Sequence, residues 1–113
     1  MINPSDVLVV TTEYIPGFRI VAMLGEVSGG TSRSNHGSVA AFGSSLKPVQ
    51  QGELIHFTKT VDEAKDEAMM RMKEAAAAKG ANAILSMRLA IDSISELSTT
   101  ALAYGTAVVL TKE

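Results

Sequence analysis

The sequence predicts a single α+β domain, a two-layer sandwich in which an antiparallel sheet of about four strands packs on one long helix, in the order β-β-(short α)-α-β-β. Three observations carry this expectation. Gln51 to Gly80, QGELIHFTKTVDEAKDEAMMRMKEAAAAKG, reads as one amphipathic helix. Apolar, β-branched runs precede it and alternating runs follow it. At 113 residues the chain, 1–113, is sized for one core and has no surplus for a separate catalytic domain.

Val7 to Thr12, VLVVTT, is a first strand, ended by Tyr14, Pro16 and Gly17, where Pro presets a turn and Gly permits it. Arg19 to Ser28, RIVAMLGEVS, is apolar on both alternating faces, with Ile20, Ala22 and Leu24 on one and Val21, Met23 and Val27 on the other. That pattern asks for cover on both sides, one of which a second subunit can supply. From Gly29 to Gln50 the composition shifts to Gly, Ser and Asn, and a loop is expected. Within it Val39, Phe42 and Leu46 recur at helical spacing, so a short helix is expected over Ser38 to Leu46.

In the long helix Leu54, Phe57, Val61, Ala64, Ala68, Met72 and Ala75 recur at spacings of three and four and form the buried stripe. Asp62, Glu63, Asp66 and Glu67 come early while Arg71, Lys73 and Lys79 come late, which suits the helix dipole, and Glu67 precedes Arg71 by one i,i+4 step. Gly80 supplies a left-handed stop. Thr60 and Glu63 form a capping box if the helix begins there rather than at Gln51. Toward Ala75 to Ala78 the stripe shrinks to alanine, so its partner is expected to come close.

Ala81 to Asp92 alternates, with Ala83, Leu85, Met87, Leu89 and Ile91 on one face and Ser86, Arg88 and Asp92 on the other. A turn is expected at Ser93 to Ser95, then a strand from Glu96 to Thr111. Its faces differ in size: Leu102, Tyr104, Val108 and Leu110 oppose Ala101, Ala103, Gly105 and Ala107. The small face is the natural seat for the alanine end of the helix. Ile55, Met69 and Met70 lie off the helical stripe, and Tyr104, Val108 and Leu110 lie opposite the alanine face. This surplus apolar surface calls for self-association, ahead of the alternative that the Gly29 to Gln50 loop folds back over it.

Composition excludes several functions. Hydrophobic residues make up 46% of the chain but aromatics only 4%, so the core is built of small aliphatics and methionine. With no cysteine there is no disulfide framework, no thiolate metal site and no thiol nucleophile, which fits a reducing cytoplasm. Neither a signal peptide nor an 18-residue apolar span is readable. Ten basic against twelve acidic residues, a net charge of −2, argue against nucleic acid as a partner.

No catalytic or cofactor-binding residue can be assigned, and the metal ligands are unknown. His36 and His56 are the only histidines, in separate segments. His56 points with Glu63 and Glu74 to the solvated face of the helix, and His36 reads as a loop residue. Gly29-Gly30-Thr31-Ser32-Arg33 follows a strand and resembles a phosphate-cradling turn, but it lacks the Walker spacing and its Lys-Ser/Thr pair. Asp92 and Glu96 straddle a turn, where solubility alone explains carboxylates. Met23, Met72 and Met87 fall on expected core faces and read as packing rather than soft-metal ligands. An enzyme reading would complete a site between subunits from Arg33, His36 and either Arg88 or Asp92 around the loop.

VSGG after the second strand, DEAKDEAMMRMKEAAAAKGANAIL and ALAYGTAVVL together resemble the YbjQ family of small proteins, which carries a heavy-metal-binding label. The resemblance runs from VVTTEYIPGFRIV to the C-terminus. Lys79-Gly80-Ala81-Asn82-Ala83-Ile84 and Ala103-Tyr104-Gly105-Thr106-Ala107 are its most specific parts. It implies a small α+β fold of the YbjQ-like, dodecin-like kind, self-assembly into a ring of five subunits, and a binding or scaffold role. A metal ion is implied by the label only, with no ligand motif to carry over. Gly30 stands where the family commonly has an acidic residue, and SNHGSVAAFGSSLKP replaces a more charged stretch.

Overall fold

The computed structural model describes residues 2–34, 51–95 and 98–113, with side chains at all of these but 34, 51–58 and 93–95. A 3-10 turn at Pro4–Asp6 leads into β1 (Leu8–Val9), β2 (Phe18–Ser34), α1 (Gln51–Ala78), β3 (Ala83–Ser95) and β4 (Ser98–Lys112). The α+β class and the sheet-on-helix layering agree with the sequence. The short helix expected over Ser38 to Leu46 lies outside the described residues.

The all-antiparallel sheet does not hold. The strand order is β1-β3-β4-β2, with β2–β4 and β3–β4 antiparallel but β1 parallel to β3. The sequence placed a turn at Pro16-Gly17 after the first strand. The turn is real: Phe18 N–H donates to the Ile15 carbonyl at 3.1 Å, and Gly17 takes the positive φ of 85° that its third position needs. It redirects the chain instead of folding it back. Residues 10–17 cross the sheet, so that β1 and β2 lie on opposite edges. Leu8 and Val10 donate to the carbonyls of Asn82 and Ile84 at 3.1 and 3.0 Å, which docks the N-terminal segment on β3.

Of the predicted stripe the helix buries Ala64, Ala68 and Met72 at 0% exposure, while Val61 and Ala75 are half-buried, Ala76 takes the buried position expected of Ala75, and the side chains of Leu54 and Phe57 lie outside the described residues. It stops by a Schellman motif: Gly80, at φ 86°, donates to Ala77 at 2.9 Å and Ala81 donates to Ala76 at 3.0 Å. Thr60 is not its cap. The helix runs unbroken from Gln51, and Thr60 is buried mid-helix.

Opposite the stripe, β4 presents Ala101, Ala103 and Ala107, all fully buried, alongside Val27 of β2 and Ile84 of β3. Alanine faces alanine, as expected, and at Gly29 the helix backbone leaves no room for a Cβ. A Cβ on Gly29 would lie 2.3 Å from the Met72 nitrogen and 2.4 Å from the Ala68 oxygen. Gly29 of β2 is therefore where the helix rests on the sheet. The space above Gly105 is taken by β3 itself, through the Ile84 side chain at 2.6 Å and the Leu85 carbonyl at 3.0 Å.

β3 departs most from its pattern. Its register with β4 breaks between Leu85 and Arg88, where Ser86 adopts φ 55° and donates its N–H to Thr12 at 2.9 Å. This bulge shifts the alternation by one residue. Before it Ile84 faces the helix while Ala83 and Leu85 face away; after it Met87 and Leu89 face the helix. The single face read from Ala83 to Ile91 is thus divided between the two sides of the sheet. β3 also continues through Ser93–Ser95, which were expected to turn.

On the side away from the helix, Ala83, Leu85 and Val108 form a second small core with Val10, Ile15 and Leu110. The crossing segment is the cover here, and part of the apolar surplus is accounted for within the chain. Asn82 locks this end: its side chain accepts from Leu110 N–H at 2.8 Å and donates to Leu110 carbonyl at 2.9 Å.

Candidate functional site

The strand read as ending at Ser28 continues to Ser34, pairing in unbroken register from Glu26↔Thr106 to Ser34↔Ser98. In this stretch odd-numbered residues face the helix, and Val27, Gly29 and Thr31 are buried. Gly29 to Arg33, read as a loop rather than a phosphate cradle, is strand. Extended backbone hydrogen-bonded to β4 does not turn its N–H groups toward one point, as a cradle must.

Arg33, next in the inward series, reaches α1. Its Nη1 lies 3.1 Å from Glu63 Oε2 and its Nη2 2.6 Å from Glu67 Oε2. Arg71 completes the group, with Nη2 at 2.5 Å from Glu67 Oε1 and Nη1 donating to the Gly30 carbonyl at 2.7 Å. The expected i,i+4 pair is thus present, within a larger cluster. The Arg33 guanidinium holds the Glu67 carboxyl below the ordinary carboxylate range, helped by a hydrogen bond with Thr31 and by Arg71, and opposed by desolvation. Arg33 Nε is buried and has no partner among the described groups.

Two cations face two carboxylates here, so the cluster is neutral and each charge is engaged. Its geometry fastens helix to strand. Sequence reading missed it because Arg33 and Glu67 are 34 residues apart. The alternation Val27, Gly29, Thr31, Arg33 was the available signal, hidden by taking two glycines as the end of the strand.

Of the enzyme reading, which places its site between subunits, the described residues Arg33, Arg88 and Asp92 do not meet within one chain. Arg33 lies on the helix side. Asp92 pairs across from Thr100, which in turn pairs with Ser32, and all three lie on the other side. Arg88 donates to the carbonyls of Thr11 and Met87 at 3.3 and 3.0 Å. His36, Glu96 and the His56 side chain lie outside the described residues. Of the methionines, Met72 is core and Met87 packs against it, but Met23 is 65% exposed, against expectation. Among the described residues no three of His, Cys, Asp or Glu converge, and the carboxylates that do approach one another are occupied by arginine. The described donor set does not fit a heavy-metal centre. No helix among the described residues is long and apolar enough to cross a membrane.

Comparison with known proteins agrees on kinship. A family model described as "Putative heavy-metal-binding" matches residues 7–111. A UPF0145 protein of Streptomyces griseus is 46% identical over 109 residues, covering 96% of this chain and 88% of its own. One from Thermoplasma acidophilum is 41% identical over 108 residues, covering 94% and 88%. A crystal structure from Pediococcus pentosaceus, of a DUF74-family protein of unknown function, superposes with a TM-score of 0.65 over 93% of this chain and 98% of its own. At 14% identity that likeness speaks for the fold alone. With 105 matched residues and relatives above 40% identity on nearly full length, the chain belongs to the YbjQ (UPF0145) family.

Proposed function

We infer that the protein is a homo-oligomeric, ring-forming scaffold or binding module whose ligand site lies at the boundary between subunits. The observation that carries this reading is apolar surface on an elongated chain. The molecule measures 60 × 24 × 19 Å with a radius of gyration of 17.6 Å. A compact chain of about 100 residues has roughly 13 Å. Phe18, Ile20, Val21, Met23, Leu102 and Tyr104 are each more than 40% exposed. A cytoplasmic, cysteine-free chain with this much apolar surface is kept soluble by covering it with copies of itself.

A ring of five agrees with the family resemblance and corresponds to about 60 kDa for subunits of 11.9 kDa. Light scattering across a concentration series is the test. A single species of several subunits is expected, and a monomer at micromolar concentration would end this reading. The heavy-metal label of the family is not extended to this chain, since among the described residues no three of His, Cys, Asp or Glu converge and the neighbouring Glu63 and Glu67 are held by Arg33 and Arg71.

A further inference from the structure

β2 stands at the end of the order β1-β3-β4-β2 and pairs with β4 alone. Its other side is a free edge 17 residues long, and a free edge of that length is a template to which extended backbone can add. Along a strand the carbonyls of alternate residues point the same way, toward the paired neighbour or away from it. Those of Leu24, Glu26 and Gly30 point away, since side chains from the helix and from the residue just past its end reach them. Arg71 Nη1 donates to the Gly30 carbonyl at 2.7 Å, and Lys79 Nζ donates to the carbonyls of Glu26 and Leu24 at 3.3 and 3.5 Å. Of the outward carbonyls from Leu24 to Gly30, only that of Ser28 lies between these contacts. The register with β4 also breaks between Met23 and Gly25, where Gly25 takes φ 98° and a Cβ would lie 4.0 Å from Lys79 Nζ. The ammonium therefore sits at a bulge, itself a feature that bends an edge out of line.

We propose that Arg71 and Lys79 guard the free edge of β2: they occupy its outward carbonyls and stand where an incoming backbone would lie, so that no extended segment adds to the sheet there. Cations suit this task because guanidinium and ammonium groups donate to carbonyls and offer no acceptor in return. An incoming strand would have to displace them and leave a charge poorly solvated against the sheet. The fold places them. Gly29 lets the helix backbone down onto β2, with Arg71 C only 2.8 Å from where a Cβ would be, and Glu67 Oε1 holds the Arg71 guanidinium at 2.5 Å. Lys79 follows the last helical residue, just before the Gly80 stop. The inference is independent of the homo-oligomer reading; whatever mass the wild type has is its baseline.

The test removes the guards. The double variant Arg71→Ala, Lys79→Ala loses two positive charges, taking the net charge from −2 to −4, and repulsion alone should then hold copies further apart. Opening the edge acts the other way. With its circular dichroism unchanged, the double variant should exceed the wild-type light-scattering mass by about twofold or more at equal concentration and should bind thioflavin T. A second pair, Lys65→Ala with Lys73→Ala, removes the same charge elsewhere on the helix and should keep the wild-type mass. The Ser28 N–H shares the outward direction of its carbonyl, so Ser28→Pro breaks no bond to β4 and blocks the edge; added to the double variant, it should restore the wild-type mass. If the double variant loses its fold, Lys79→Ala alone, which breaks none of the ion pairs with Glu67, carries the same test at smaller amplitude. A folded variant with wild-type mass and no thioflavin signal would overturn the proposal. So would association that Ser28→Pro fails to reverse, or that the Lys65 and Lys73 pair reproduces.

Discussion

Replacing Gly29 with alanine isolates the contact on which the two layers depend. Gly29 does not occupy the left-handed region, so alanine meets no backbone penalty of its own. The cost is entirely steric. The new Cβ would sit 2.3 Å from Met72 N, 2.4 Å from Ala68 O and 2.8 Å from Arg71 C, where ordinary contact begins at 3.4 Å. All three atoms are helix backbone, so no side chain can rotate away. The helix must lift by about 1 Å, and a gap of that size forfeits roughly a quarter to a half of each dispersion contact along the interface. Ala64, Ala68 and Met72, fully buried now, would lose their seat together. Overpacking in cores typically costs about 1–3 kcal/mol, and a rigid backbone obstacle belongs at or above the top of that range. We expect a loss of about 3 kcal/mol, or roughly 10 °C in melting temperature for a domain of this size. Gly30→Ala is the internal control. Its Cβ would meet only Ala101 O and Leu102 Cδ1, both at 3.6 Å, so it should leave stability unchanged or raise it slightly. Urea unfolding followed by circular dichroism measures both. A Gly29→Ala variant within 0.5 kcal/mol (about 2 °C) of wild type would refute the argument that the helix rests on β2 at this residue.

Two further outcomes follow from the polar contacts. Glu67→Gln keeps the shape but removes the charge shared by Arg33 and Arg71. Because the folded state lowers the Glu67 pKa from its ordinary 4.5, its stabilisation is complete above that value and is lost as pH falls through the lowered one. The gap in melting temperature between wild type and variant should therefore be widest near neutrality and close in acid; a gap independent of pH would show that the charge is irrelevant. Asn82→Ala removes both side-chain bonds to Leu110 and leaves that strand end without its partner. About 1–3 kcal/mol should be lost, with faster amide exchange at Leu110, and unchanged exchange there would contradict the clamp.

The elements that were legible in the sequence are those fixed by local chemistry. Gly80 stops the helix as expected because only a left-handed residue completes the Schellman bonds. The stripe Ala64, Ala68, Met72 is buried because nothing interrupts its period, and Ala101, Ala103 and Ala107 seat it for the same reason. What was not legible is set by distant partners. The run before Pro16-Gly17 reads equally well as half of a hairpin or as an edge strand, and only the carbonyls of Asn82 and Ile84 decide. Gly29-Gly30 reads as punctuation, yet Gly29 is needed inside a strand because a helix backbone lies on it. That misreading cut β2 short and hid the pairing of Arg33 with Glu63 and Glu67. The candidate site was legible only in part: the Glu67–Arg71 step was visible, while the exposure of Met23 depends on the register break between Met23 and Gly25, which puts it on the side of the sheet away from Val27.

The Ser86 bulge bears on how this chain tolerates change in length. Since the odd-numbered residues of β3 serve the outer core before the bulge and the helix-side core after it, removing a single residue there would not merely shorten a strand. It would restore one phase from end to end, sending Ile84 to the outer side of the sheet or Leu89 out of the helix-side interior. A gap of one at this point, when sequences of the family are laid side by side, exchanges inside for outside along half of β3 and signals a different molecule from one with the same gap in a surface turn.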